Sequence, residues 1–281
     1  MADTEAPVAV GVKDLETDGA ALRMAADEAA ATGHPLHVVH AFVWPLELAP
    51  GDDGEEREQA ERTVADAAAL AREWHRDLAV LPEVVDGDMI EVLLRTAARS
   101  SMLVIGDDGD PAQPADPSAS AAFQVAARAA GPVLRVRGPG TGGGPVVVGV
   151  DGSPDAAVGL TIAVEEARRR AARLVVLHAE GTDCADSHAA GDLAVEHRKV
   201  EGPAGKALVA AAAGAQLVVV GARGDRPTPL GPVTQTVLRH ADCPVLVARQ
   251  RYQPAQSRIA AAQARIAAGR RPAPRLGSSR P

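Results

Sequence analysis

The sequence predicts an α/β protein of two tandem, doubly wound domains, each with a five-stranded parallel sheet. Short valine-rich runs such as VAVGV and MLVIG alternate with longer alanine-rich segments that carry charges. Apolar runs of this length are typical of strands that helices cover on both faces, and strand–helix alternation favours a parallel sheet. The chain has 281 residues, 46% of them apolar, which is enough for two cores.

The two copies emerge when the chain is aligned with itself. Residues 8–41 match residues 146–179 at an offset of 138 without a gap, and 12 of the 34 positions are identical. The match resumes at an offset of 115 around the fourth strand and at 112 for the last strand, where Pro132 matches Pro244. The second copy has therefore lost 23 residues and then three more.

The larger loss falls on the second helix of the copy. In the first copy this helix is predicted at 55–76, and in the second we expect only a loop over 180–192 and one thinly covered face of the sheet. The predicted strands are 7–13, 35–41, 78–85, 102–106 and 132–137 in the first copy, and 145–151, 173–179, 193–201, 216–221 and 243–249 in the second.

Composition changes set the predicted domain boundaries. The first domain spans 5–138, a glycine-rich linker spans 139–144, and the second domain spans 145–250. The remaining residues, 251–281, form a tail with seven arginines and no acid. A weak amphipathic helix is predicted at 253–268, and we expect the tail to be largely disordered.

Composition also limits which binding partners and which cellular compartment we expect for this protein. A net charge of −8 and an aromatic content of 2% argue against a nucleic-acid partner, although the basic tail leaves an acidic partner as an alternative. No apolar run is long enough for a membrane span, and no signal peptide is recognisable, so we expect a cytoplasmic protein without a membrane partner. Cys184 and Cys243 are predicted to be reduced thiols, with Cys243 buried.

Ligands of open parallel sheets bind beyond the carboxyl ends of the strands, at the switch point. This rule predicts that a ligand would bind at the turns after the first and fourth strands. After the first strand, the second copy has GVDGSPD and the first copy has GVKDLET. After the fourth strand, the second copy has GARGDRPTPLGPVTQTVLRHADCPVLVAR and the first has GDDGDPAQPADPSAS.

These motifs resemble the universal stress protein family, in which a V-G-V-D-G-S strand and turn is followed by G-x2-G-x9-G-[ST] and a P-V-L-V strand. The resemblance covers nearly all of residues 7–250, twice over. In the ATP-binding branch of that family, the aspartate holds the nucleoside, while the glycine loop and helix start hold the phosphates. The resemblance also implies pairing of the last strands, 132–137 beside 243–249, either within the chain or between chains of a homodimer.

Neither copy retains the whole family pattern. In the second copy, six residues rather than nine separate the second glycine of the motif from the last one. Pro232 follows the last glycine in place of serine or threonine, and the proline removes both a hydroxyl group and an N–H donor. In the first copy, Lys13 replaces the aspartate, while Gly106, Gly109 and Ser120 keep the spacing. The resemblance therefore places the candidate nucleotide site in the second copy, at Asp151, Gly221, Gly224, Gly231 and Thr234.

Each of these residues also has a structural interpretation. Gly231–Pro232 can begin a helix without binding a ligand, and Asp151 can cap the turn at Gly152 and Ser153. The leading hypothesis is a stress-response regulatory protein that binds an adenine nucleotide, ATP with Mg²⁺. The alternative is a pseudo-dimeric scaffold that binds no nucleotide and acts through a protein partner.

Other candidate groups carry weaker signals. The sequence contains no motif that places a nucleophile beside a base and no known metal-binding motif, so we expect no catalytic activity. The resemblance to the family nevertheless permits nucleotide hydrolysis. Cys184, His188, Glu196 and His197 form a conceivable metal cluster, but their spacing is irregular. His40 and His178 are expected at strand ends. Asp27–Glu28 and Glu165–Glu166 are predicted to lie on solvated helix faces.

Overall fold

A computed structural model describes residues 6–44, 54–107, 120–137, 143–179, 192–223 and 228–249. The predicted tail, most of the predicted linker and the predicted loop up to residue 191 lie outside these ranges, as do Gly109 and Gly224. The first copy contains β1 (Val8–Gly11), α1 (Leu15–Thr32), β2 (Leu36–Phe42), α2 (Glu55–Trp74), β3 (Val80–Asp86), α3 (Met89–Arg99), β4 (Met102–Gly106), α4 (Ala121–Arg128) and β5 (Val133–Val136). The second contains β6 (Val146–Val150), α5 (Pro154–Arg169), β7 (Leu174–His178), β8 (Val195–Lys199), α6 (Ala204–Ala212), β9 (Leu217–Gly221), α7 (Pro232–His240) and β10 (Val245–Ala248).

All ten predicted strands are present, and they form one continuous sheet. Its order is β3-β2-β1-β4-β5-β10-β9-β6-β7-β8, so each copy contributes five strands in the same arrangement. Pairing within each copy is parallel, as predicted. The chain switches direction between β1 and β4 in the first copy and between β6 and β9 in the second, which places a switch-point cleft in each.

Helices cover both faces of this sheet, because strands with few polar side chains must be buried on two sides. One core lies beneath α1, α2 and α5, and it includes Val10, Val38, Val148 and Leu174. The other lies beneath α3, α4, α6 and α7. Cys243 is buried in the second core, as predicted.

The two copies differ between their second and third strands, where the second copy is 23 residues shorter. The predicted helix at 55–76 is confirmed as α2, which ends at Trp74. Between β7 and β8, the described residues contain no helix. At the repeat offset, Pro82 and Val84 of β3 are replaced by His197 and Lys199 of β8, both of which are exposed. Polar side chains therefore occupy positions on the edge strand where the first copy carries apolar ones.

The copies meet through their last strands. β5 and β10 pair antiparallel, with Val133 opposite Val247, Leu134 opposite Leu246 and Arg135 opposite Val245. The pairing that the family resemblance implied is thus present within one chain.

A reciprocal pair of arginines reinforces this junction. Arg249 follows β10 and donates from Nη2 to the carbonyl oxygens of Ala126 (2.8 Å) and Ala127 (3.3 Å), at the end of α4 in the other copy. Arg137, its repeat equivalent, donates from Nη1 to the carbonyl oxygens of Arg239 (3.3 Å) and Ala241 (3.5 Å), at the end of α7. Cations are favourable at helix C-termini, so each copy supplies a cap for the last helix of the other.

One expectation about the helices is wrong. Asp27 and Glu165 are exposed, as predicted for a solvated face, but their neighbours Glu28 and Glu166 are 7% and 1% exposed. Arg169 Nη2 lies 2.9 Å from Glu28 Oε1 and 2.5 Å from Glu166 Oε1, and thus bridges α1 and α5. The two glutamates are buried because these helices meet where the copies join, a contact that no single helix pattern encodes.

In the described part of the chain, no helix has the length and apolar character needed to cross a membrane.

We expect Arg249→Met to lower the free energy of unfolding by about 2 kcal/mol, because it leaves buried carbonyl oxygens without their charged donor. Urea unfolding followed by circular dichroism measures the change. Arg128→Met is the control, since its ion pair with Glu91 is at least half exposed on both sides and contributes under about 1 kcal/mol. Equal effects of the two substitutions would contradict a capping role for Arg249.

Candidate functional site

A cavity of about 260 Å³ opens at the switch point of the second copy. It lies where β6 and β9 end, between the first turns of α5 and α7. Its apolar lining includes Val150, Leu177, Val200 and Leu208. Its other lining residues include Asp151, Gly221, Arg223, Gly231 and Thr234. The structure therefore brings together four of the five predicted site residues, and the fifth, Gly224, lies outside the described residues.

Asp151 follows β6 and shapes the turn into α5. Its Oδ1 accepts a hydrogen bond from the Ser153 N–H at 3.0 Å, and Gly152 has a φ of 81°. Ser153 then caps α5 by accepting from the Ala156 N–H at 3.3 Å. The structural interpretation of Asp151 as a turn residue is thus correct. A carboxylate has about four lone-pair sites, so this exposed side chain retains acceptor capacity toward the cavity.

Gly221 ends β9 directly beneath the first turn of α5. A Cβ at this position would lie 2.8 Å from the backbone nitrogen of Ala156, closer than packed atoms approach. Helix packing alone therefore requires a glycine here. The close approach also forms the wall between the cavity and the start of α5.

Several polar groups at the start of α7 form hydrogen bonds to backbone carbonyl groups of the same copy. The Gly231 N–H donates to the Ala222 carbonyl at 2.8 Å, and the Thr234 hydroxyl donates to the Gly221 carbonyl at 2.6 Å. Pro232 stands in the first turn, as predicted, and has no N–H. The Val233 and Thr234 N–H groups are in the first turn of the helix, where α-helical geometry provides no intrahelical partner.

Arg223 is a site residue that the sequence patterns did not single out. It lies two residues after β9, lines the cavity, and donates from Nε to Asp155 Oδ2 at 3.2 Å. Its side chain is 43% exposed, and a guanidinium group has five N–H donors, so Arg223 retains donor capacity at the cavity wall. Arg223 is the third residue of the GARG motif, but arginines are common in loops, and no sequence spacing marks this one as a ligand-binding residue.

In the first copy, the side chain of Asp18 lies at the corresponding position, against Gly106. Asp18 Oδ2 accepts from the Lys13 N–H at 2.7 Å and from the Asp14 N–H at 3.3 Å. A Cβ built on Gly106 would collide with Asp18 Oδ1. At the repeat offset Asp18 corresponds to Ala156, whose methyl group leaves the cavity open. A carboxylate therefore lies at the switch point where an anionic ligand would need to approach.

The described residues on either side of the segment after β4 also make internal contacts. Asp107 accepts from Arg135 at 3.2 and 2.8 Å and from Arg137 Nε at 2.5 Å. Ser120 caps α4 by accepting from the Phe123 N–H at 3.1 Å. Lys13 is exposed. Asp107 and Ser120 are thus engaged in contacts within the protein.

Only half of the conceivable metal cluster around His197 lies within the described residues. Cys184 and His188 lie outside the described residues, and Glu196 pairs with Arg173 and Arg198 at 2.9 and 2.7 Å. Among the residues that the structure describes, no group of three metal-binding side chains occurs. His197 Nδ1 instead lies 2.9 Å from Nε2 of His178, which is buried at the end of β7.

We expect Gly221→Ala to lower the free energy of unfolding by about 1–3 kcal/mol without any ligand, because the new methyl group displaces the start of α5. Chemical unfolding of the free protein measures it. Gly19→Ala is the matched control, since a Cβ there meets nothing within 4 Å and helix propensity favours alanine by about 1 kcal/mol. A neutral Gly221→Ala would show that this glycine is not required for packing.

Comparison with known proteins agrees with the fold. The model of the universal stress protein family matches residues 6–137 and 179–249. The chain is 31% identical to universal stress protein Rv2005c of Mycobacterium tuberculosis, over 86% of this chain and 97% of that protein.

Solved structures show the same architecture. A universal stress protein from Archaeoglobus fulgidus superposes with a TM-score of 0.72 at 18% identity, covering 88% of this chain and 98% of that one. A protein of unknown function from Pseudomonas aeruginosa PAO1 superposes with a TM-score of 0.63 at 19% identity, covering 94% and 97%. With family matches in both halves and this relative in sequence, the chain belongs to the universal stress protein family.

Proposed function

We propose that the second copy binds an adenine nucleotide, with ATP as the candidate ligand, and that its occupancy acts as a regulatory signal. The observation that carries this proposal is the cavity at the switch point, whose lining combines aliphatic side chains with Asp151 and Arg223. An apolar cleft suits a flat base, and a cluster of donors suits phosphate. In this arrangement Asp151 would accept hydrogen bonds from the nucleoside, as the family resemblance implies.

Arg223 supplies the positive charge that a phosphate requires. Its guanidinium can donate to phosphate oxygens in addition to its contact with Asp155. The first-turn N–H groups of Val233 and Thr234 add favourable dipoles from α7. The Thr234 hydroxyl already donates to Gly221, so its role toward a ligand would be as an acceptor or through its methyl group.

Mg²⁺ would enter with the nucleotide. Asp151 is an exposed carboxylate in the cavity wall, whereas Asp155 is paired with Arg223. Mg²⁺ keeps much of its water shell and is commonly bound through substrate phosphates, so phosphate oxygens and water can supply most of its ligands while Asp151 accepts from the nucleoside.

The first copy is proposed not to bind nucleotide, because Asp18 places a negative charge in its cleft. Like charges at close range in a partly desolvated site repel strongly. One equivalent of nucleotide per chain is therefore the expected stoichiometry.

The alternative is a pseudo-dimeric scaffold that acts through a protein partner. The internal use of the Gly231 N–H and the Thr234 hydroxyl, together with Pro232, favours this alternative, because these positions would otherwise supply phosphate donors. Under both hypotheses we propose that the protein is located in the cytoplasm and contacts a protein partner.

Calorimetric titration with ATP and Mg²⁺, and separately with adenosine, tests the site. We expect one equivalent of ATP to bind. Asp151→Ala should weaken both ligands by about 10-fold or more, because it removes a charged acceptor. Arg223→Met should weaken ATP but leave adenosine unchanged, because it acts on the phosphate end.

Lys13→Ala is the matched control, at the equivalent position of the first copy, and it should leave both affinities unchanged. The scaffold hypothesis is favoured if neither ATP nor adenosine binds the native protein. Two equivalents of ATP, or a loss in Lys13→Ala equal to that in Asp151→Ala, would contradict the assignment to the second copy.

A further inference from the structure

Glu28 and Glu166 occupy equivalent positions of the two copies and meet at the junction between them. They are related by the repeat offset of 138 residues and are identical in an alignment that preserves 12 of 34 positions. Both are almost completely buried, on α1 and α5 respectively. Two buried carboxyl groups so close together cannot both ionise without a large electrostatic cost.

The arginines around this pair come from one copy only. Arg169 Nη2 contacts both carboxyl groups, and Arg170 Nε donates to Glu166 Oε2 at 2.8 Å. At the repeat offset, the first copy has Ala31 and Thr32. Glu166 therefore receives two guanidinium groups and Glu28 receives one. Glu28 is therefore the carboxyl group with less positive charge beside it, which makes it the group that holds a proton.

We propose that Glu28 and Glu166 share a proton across the junction, so that the contact between the two copies strengthens as pH falls through neutrality. In the protonated state, the Glu28 carboxyl group donates to the Glu166 carboxylate. In the deprotonated state, two carboxylates face each other and only Arg169 lies between them.

The electrostatic surroundings agree with this assignment. Burial is the main cause that raises the pKa of Glu28, to about 7, and the Glu166 charge adds to it, while Arg169 and Arg170 oppose it. The strands beneath α1 contribute aliphatic side chains there, including Val38, Val104 and Leu134.

Other titratable groups near α1 lie elsewhere along the helix. His75, which follows α2, lies 2.7 Å from Asp27 on the exposed side. His40, on β2, lies beside Val12 and Asp18 at the start of α1. Ten residues separate Asp18 from Glu28, a rise of about 15 Å along the helix.

The sign of the pH effect follows from linkage. The folded-state pKa of Glu28 lies above the ordinary value of 4.5, so the folded state holds this proton more tightly than the unfolded state does. The resulting stabilisation is complete below about pH 4.5, diminishes as pH rises, and is lost once pH exceeds about 7. Glu28→Gln imitates the protonated form at every pH.

Urea unfolding of the full chain between pH 5.5 and 8 tests the proposal. We expect the folding equilibrium constant of the native protein to fall by roughly tenfold or more, relative to Glu28→Gln, over this range. Glu165→Gln is the control, since Glu165 neighbours Glu166 but is exposed, and it should follow the native protein. Parallel pH profiles for the native protein and Glu28→Gln would overturn the proposal.

A direct measurement separates the pair from general pH effects. Carbon-13 NMR of the glutamate carboxyl groups, assigned with Glu28→Gln, should show Glu28 titrating near pH 7. Glu166→Gln should lower that midpoint, because it removes the neighbouring negative charge. A Glu28 midpoint in the ordinary carboxyl range, or one that Glu166→Gln leaves unchanged, would refute proton sharing.

Discussion

The antiparallel pairing of β5 with β10 is the constraint on which the rest of the structure depends. Three residue pairs join two five-stranded parallel sheets into one sheet of ten strands. The pairing brings the last helix of each copy within reach of Arg137 or Arg249, and it sets α1 beside α5, where Arg169 bridges two buried glutamates. It also fixes the two clefts in one rigid framework, because each cleft opens next to a strand that leads into the junction.

The two copies share one fold but carry different side chains at the switch point. In the second, Ala156 leaves the switch point open, and Asp151 and Arg223 line a cavity. In the first, Asp18 and Asp107 satisfy the backbone and arginine groups that surround the same position. Because a tandem chain can change one copy without changing the other, the junction acquires an asymmetry that a symmetric homodimer cannot have. Arg169 and Arg170, which have no counterparts in the first copy, illustrate it.

Much of this architecture could be predicted from the sequence, since runs such as residues 8–12 and 217–221 are too apolar for anything but a covered strand. The position of the cleft followed from the repeat and the switch-point rule, and the choice of Asp151 followed from the resemblance to the family. The burial of Glu28 did not follow, because it depends on contact between helices 138 residues apart. The role of Asp18 was equally hidden, since an acid in a first helical turn ordinarily indicates a favourable dipole contact and nothing more.

The sheet order leaves only β3 and β8 as edges among the described strands, and both discourage further pairing. Pro82 removes a backbone donor from β3, and Glu83 adds a charge beside it. β8 is only five residues long and reads VEHRK. Short, charged or proline-containing edges resist the addition of a strand from another molecule. Since the two central strands already pair with each other, only these two unfavourable edges remain among the described strands, and we expect the sheet to resist edge-to-edge aggregation at high concentration.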